Sequence, residues 1–353
     1  MTVDLISLQS THSFYDAHSA AVSTLNHCKS AAASAVLAGQ QVQVAENALT
    51  HDMSIRTTAT AAAHKQITKA LGQANKLTGG LKVNQSQRFL SNALKATKKA
   101  KGELTKILKL SGELTQQASK ALHSAEEEAG RLEGFAVRGK SDSLQVERIL
   151  QAGDQKDARV MSTLALAGKA ASKAAQSAQL AKNFAAEVQG AEKVVDSQFV
   201  NPTPPSLAKA LIFIGKAEQD GQLAETKIDA PNASHLDWMI MKLQLAQAKR
   251  AMEEYETVKD DALKQDSLSL KLISKADKII GQALKTSKEV QAVSAAAMKA
   301  LDPTGAINLE LKLREKIAKI NTVAISSFGV NELTSLVQST HNPRCRNLQA
   351  AFL

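Results

Sequence analysis

Between residues 14 and 78 the large apolar positions are widely spaced. Leu25, Val36, Val42, Leu49 and Ile55 stand among Ala, Ser, Thr and Gln, and no charged side chain occurs from Ser30 to Ala45. Such an Ala-rich face, here over 31–63, buries little area per residue but lets two helix axes approach near the low end of the ~8–10 Å range. The pattern predicts a first helix packed closely on a partner. Gly79-Gly80 breaks it, and Asn84 or Ser86 is placed to cap the next. From 86 to 129, Phe89, Ala93, Ala96, Ala100, Leu104, Ile107, Ser111 and Leu114 cluster on one side of a helix. Gly130, Gly134 and Gly139 then predict a break over 130–141. A third helix follows over 142–199, with a second Ala-rich face over 164–186 that includes Ala167, Ala171, Ala174 and Ala178.

Proline sets the later boundaries. Asn201-Pro202-Thr203-Pro204-Pro205-Ser206 cannot be helix interior, because its prolines lack the amide donor and clash with the preceding turn. Helix restarts near Ser206 and stops at Ala230-Pro231-Asn232, after which Ser234 and Asp237 resemble a cap with an acid in the first turn. The long stretch 235–300 carries a seven-residue period in its second half. Leu272, Ala276, Ile279, Ala283, Thr286, Val290, Val293 and Ala297 alternate steps of four and three, the signature of a coiled-coil-like seam. Asp302-Pro303 opens a further amphipathic helix with Ala306, Leu309, Leu313, Ile317, Ile320 and Ala324 on one face, ending near Gly329; a short helix over 331–339 follows. No alternating β-branched run is present.

The expected fold is therefore all-α: an elongated bundle of five or six long antiparallel helices with coiled-coil-like packing and no sheet, the chain reversing at each loop, 200–206 included. Residues 1–200 form a proline-free N-terminal half with breaks near 79–85 and 130–141. A Pro-rich linker spans 201–206, a C-terminal half spans 207–339 and includes the heptad helix 235–300, and 340–353 is a tail. Composition agrees: aromatics are 3% of the 353 residues, so apolar surface comes in small and aliphatic units that suit helix-on-helix packing.

Charge adds a feature that periodicity alone does not. Residues 65–120 hold twelve Lys and Arg but only Glu103 and Glu113 as acids, a local excess equal to the whole chain's net +10, so the rest of the chain is balanced. Within it, Lys95, Lys98, Lys99, Lys106 and Lys109 fall opposite the apolar side of their helix and form a candidate face for an anionic partner.

Candidate chemistry is sparse. Gly134-Phe135-Ala136-Val137-Arg138-Gly139-Lys140-Ser141 satisfies the phosphate-loop pattern, in which Gly134 and Gly139 would shape the loop and Lys140 and Ser141 would meet phosphate and metal. That loop requires a preceding buried strand. Here Glu126-Glu127-Glu128-Ala129-Gly130-Arg131 precedes it, so the match reads as coincidence and no cofactor is expected. His27-Cys28 is the one adjacent pair of metal-ligand types and has no third ligand at helical spacing, so no metal site is expected. Glu253-Glu254 and Asp260-Asp261 alternate with Lys249, Arg250, Lys259 and Lys264 and read as ion-pair partners on a solvated face. No catalytic residues are assigned.

These features point to a non-enzymatic structural or interaction protein that works by helix–helix association. Its seam would be Leu272, Ala276, Ile279, Ala283, Val290 and Val293, with self-association as the expected partnership. The alternative is a membrane-active helical protein, such as a soluble pore-forming toxin component or secreted translocator, whose lipid-contact segment would be Leu211, Ile212, Phe213 and Ile214 with Trp238 and Met239; an anionic membrane surface would then be the partner. Nucleic acid ranks third, because the basic segment has one aromatic ring, Phe89, and almost no Arg. No stretch approaches 18 apolar residues and no basic-then-apolar leader opens the chain, which predicts a soluble protein, cytoplasmic or exported without a cleavable signal peptide.

Overall fold

The computed structural model describes residues 2–152, 157–199, 204–229 and 231–305, together with 307, 316 and 319. Among these residues there are five helices, α1 (Thr2–Ala74), α2 (Val83–Gln151), α3 (Ala158–Phe199), α4 (Pro205–Thr226) and α5 (Pro231–Leu301), and no strand. The helices expected over 306–324 and 331–339, and the tail 340–353, lie outside the described residues.

Proline and glycine act as expected at some boundaries and not at others. Pro205 and Pro231 each open a helix, where a missing amide donor costs nothing. The chain turns at 75–82 around Gly79-Gly80. The break expected over 130–141 is absent, because α2 runs straight through all three glycines. Gly130 and Gly134 are exposed with open space where a Cβ would stand. Gly139 is buried, and a Cβ there would lie 3.1 Å from Cys28 Sγ. That glycine permits α1 and α2 to approach; it does not make a turn. The real boundary falls after Gln151. Asp157 caps the start of α3, its Oδ1 accepting the Arg159 amide at 2.8 Å.

Cα packing divides the chain into two units. One comprises Met1–Ser23, Asp142–Lys169 and Ala292–Leu353; the other comprises Thr24–Ser141 and Ala170–Gln291. The smaller unit has a core of Ala17, Ala20, Ala21, Val146, Leu150, Val160, Ala167 and Leu301. His18 is buried in it, and burial lowers its pKa against the opposing attraction of Asp302.

The larger unit is a four-helix body. Its α1 portion runs one way, α2 returns, α3 and α4 together run back, and α5 returns again. Side-chain pairs fix the antiparallel register. Ser119 meets Asp196 at 2.8 Å, Glu126 meets Gln189, and Glu133 meets Lys182 at 3.4 Å, so each step of seven along α2 is matched by seven in reverse along α3. Lys173–Glu289 and Glu187–Lys275 set the α3–α5 register, and the packing of Gly221 on Met241 continues it without a slip. The reversal expected at 200–206 is thus not made. The prolines interrupt the hydrogen-bond ladder, yet α4 resumes between the same neighbours, α2 and α5, that α3 occupied.

Two apolar clusters fill this body. One joins α1, α2, α3 and α5 through Leu49, Leu122, Phe184 and Ile280; the other joins α1, α2, α4 and α5 through Ile67, Leu104, Ile214 and Met252. Their boundary lies where α3 gives way to α4.

Candidate functional site

At that boundary every long helix replaces apolar core residues with polar ones. On α1 these are Asp52 and Arg56, on α2 Ser111 and Thr115, on α3 Gln198, and on α5 Asp266 and Ser269. Asp52 and Asp266 are completely buried, and the Arg56 side chain is only 12% exposed. Arg56 Nε donates to Asp52 Oδ2 at 2.8 Å, and its NH2 group donates to Gln198 Oε1 at 3.4 Å. Gln198 Nε2 in turn donates to Asp266 Oδ1 at 2.8 Å. Thr115 Oγ1 donates to the Ser111 carbonyl at 2.8 Å and lies 3.5 Å from Asp52 Oδ2. One amide side chain therefore links a guanidinium to a second carboxylate across α1, α3 and α5.

The electrostatics follow from burying three ionisable groups together. Burial pushes the Asp266 carboxyl up to about 6, assisted by the charge of Asp52 and opposed by Gln198 and Arg56. Burial works to lower the Arg56 pKa, but the attraction of Asp52 and Asp266 outweighs it and the net shift is upward. Tyr255, buried beside this group, is raised chiefly by burial. Asp52 Oδ1 and Asp266 Oδ2 have no hydrogen-bond partner among the described residues. A cavity of about 200 Å³ opens beside the layer, lined by Arg56, Thr115, Ser197, Gln198, Val258 and Gln265 among others.

Sequence reasoning missed this layer because its members are far apart in the chain and each is ordinary alone. The available signal was a gap in the apolar stripe at one level of every helix. It also missed His123, Glu126 and Glu192, whose ligating atoms lie within 4.8 Å of one another on the α2–α3 surface. His123 Nδ1 is 3.4 Å from Glu192 and Nε2 is 3.7 Å from Glu127, the arrangement of an ion-pair ladder.

The residues singled out from sequence fall into five groups. Lys95, Lys98, Lys99, Lys106 and Lys109 are all exposed, and none makes an ion pair among the described residues. Arg88 belongs to the same row, which extends about 32 Å along α2 and faces away from Ala93, Leu104 and Ile107 in the core. Lys101 turns aside to bond Glu218 of α4 at 2.8 Å.

The seam on α5 is half in register. Ala276, Ala283 and Val290 are buried, but Leu272, Ile279 and Val293 are only half-buried; the fully packed partners are Ile273, Ile280, Ser287 and Ser294, one residue further on. In this set Ser287 exchanges a 2.9 Å hydrogen bond with Ser177 of α3. From Ile273 to Ala283 the seam packs within the chain, against α1, α2 and α3.

The lipid-contact segment is mostly core. Ile214 and Trp238 are buried and Leu211 and Phe213 pack against the same cluster, which leaves Ile212 and Met239 exposed. Residues 134–141 lie inside α2, where backbone amides are engaged in the helix ladder and form no phosphate-binding loop. Lys249–Glu253, Lys259–Asp260 and Lys264–Asp261 pair on the α5 surface. Among the described residues no helix is long and apolar enough to cross a membrane.

Comparison with protein-family models, with curated proteins and with solved structures returns no match to this chain.

Proposed function

We propose that this chain is a non-enzymatic structural and interaction protein: helix–helix association builds its own body, and an outward row of cations on α2 engages an anionic partner. The observation that carries the reading is that row, six exposed cations from Arg88 to Lys109 against one acid in the same span, the half-buried Glu103. An ordinary solvated helix face alternates signs, as α5 does over 249–264. One-sign rows raise the local concentration of an oppositely charged partner and steer its approach.

The interior shows what the buried polar groups do for the helix assembly. The buried carboxylates are tied to Arg56 and Gln198 and so join α1, α3 and α5 at one level. The seven-residue spacing of 273, 276, 280 and 283 supports coiled-coil-like packing inside the chain. That seam is occupied, so a second copy would have to use an outward face.

The test is retention on immobilised heparin, a polyanion, as salt is raised. Replacing Lys95, Lys98, Lys99, Lys106 and Lys109 by Gln is expected to lower the eluting salt sharply and to leave the thermal midpoint unchanged. Elution of the variant with the wild type would remove the α2 face as the recognition surface.

A further inference from the structure

The α5 helix carries a second feature, of different character, on its first exposed turns. Leu236 is 66% exposed, Leu243 59%, Met239 43% and Ile240 36%. Their spacing of three, four and seven puts all four on one side of α5, directly opposite the buried Met241, Leu245 and Ala248. Isolated apolar side chains on a surface are common, but a contiguous row over two turns is a contact surface.

The neighbouring helix supplies the second half of the observation. His64 Nδ1 of α1 meets Glu256 of α5 at 3.0 Å, and carrying that antiparallel register to the end of α1 brings Ala74 level with Ala246, with Lys76 in the turn just beyond. Lys65 and Lys69 are exposed on the outward side of α1, Lys76 is exposed in the turn that follows it, and the chain holds no acid at all from Met53 to Gly102. None of the three lysines makes an ion pair among the described residues; Lys76 lies over the Phe89 ring at 5.6 Å. The acid-free line of lysines thus leads along α1 toward the end of the unit that holds the apolar row, and Lys76 in the turn is the lysine nearest its level.

We infer that this α1–α5 face docks on an anionic lipid surface. An apolar row about 10 Å long is far too short to span a bilayer, but it suits burial at the headgroup–acyl boundary, with lysines at the level of anionic headgroups. A nucleic-acid backbone would use the cations and leave Leu236 and Leu243 in water. The lipid surface uses both.

Co-sedimentation with vesicles tests the inference, with phosphatidylcholine alone set against phosphatidylcholine containing about 30% phosphatidylserine. The wild type is expected to pellet with the anionic vesicles and to remain in solution with the neutral ones. Leu236→Ser/Leu243→Ser is expected to weaken vesicle binding at least about tenfold while heparin retention, a property of α2, stays unchanged. Lys65→Gln/Lys69→Gln/Lys76→Gln is expected to weaken it about fivefold per charge, with an unaltered far-ultraviolet spectrum. Absence of binding to anionic vesicles would overturn the inference, as would serine and glutamine variants that bind like the wild type. Vesicle binding abolished by duplex DNA, with the serine variant binding that DNA normally, would assign the face to nucleic acid instead. Loss of heparin retention by the wild type would count against the α2 reading and leave the vesicle result standing by itself.

Discussion

Asp266 shows how one residue can tie stability to pH. Its carboxyl titrates at about 6 in the folded chain against an ordinary value of 3.8, so the folded state holds the proton more tightly. A raised pKa means the contribution to stability is fully present below about 3.8 and is lost as pH rises through about 6. Asp266→Asn mimics the protonated form and can still accept from Gln198. It is expected to stabilise the protein by up to roughly 3 kcal/mol above pH 7 and to be neutral near pH 4, as urea melts at the two pH values would measure. Arg56→Met removes the cation facing both buried carboxylates and is expected to cost about 3–5 kcal/mol at pH 7.5, with a smaller loss at pH 5, where Asp266 is largely protonated. Equal losses at both pH values would separate Arg56 from Asp266. Nothing in the local sequence announces this layer: Asp52 and Asp266 are recognisable as buried only when α1, α3 and α5 are side by side.

At the scale of the element, periodicity identified which segments are helical better than it placed their ends and faces. Gly130, Gly134 and Gly139 of α2 were expected to form a turn, but the first two are spaced by four and all three sit among strong helix formers, so the helix continues at a small local cost. Gly130→Ala and Gly134→Ala together are therefore expected to raise stability by roughly 1–2 kcal/mol; a loop would respond in the opposite sense. On α5 the adjacent pairs Leu272/Ile273 and Ile279/Ile280 make the register ambiguous, because either member fits a seven-residue period. Choosing the larger aliphatics missed that Ser287 and Ser294 occupy core positions, Ser287 satisfied by its bond to Ser177. Ile280→Ala is expected to cost about 2–4 kcal/mol and Ile279→Ala less than about half of that, a difference that thermal melts of the two variants would resolve.

At the scale of the whole molecule, the all-α class and the proline-bounded helices were legible in the sequence, and the four-helix order of the larger unit was legible in part. Pro-rich residues 200–206 read as a reversal because proline certainly ends a helix; which way the chain leaves is decided by tertiary neighbours, and here α2 and α5 continue past the break. The role of the seam was likewise beyond sequence: a heptad pattern specifies that a helix needs a partner and does not say whether that partner is in the same chain. In this structure it is, and the cations of α2 and the apolar row of α5 are left facing outward.

The packing of α3 on α5 within a single chain is the claim on which the rest depends, and one cross-linking measurement addresses it. Ser177 and Ser287 place their hydroxyl oxygens 2.9 Å apart. Ser177→Cys/Ser287→Cys, made in a Cys28→Ala/Cys345→Ser background and oxidised, is predicted to form a disulfide that alters mobility on a non-reducing gel at the mass of one chain, at every protein concentration. Covalent dimers that increase with concentration, or no disulfide under oxidation, would contradict an intrachain seam.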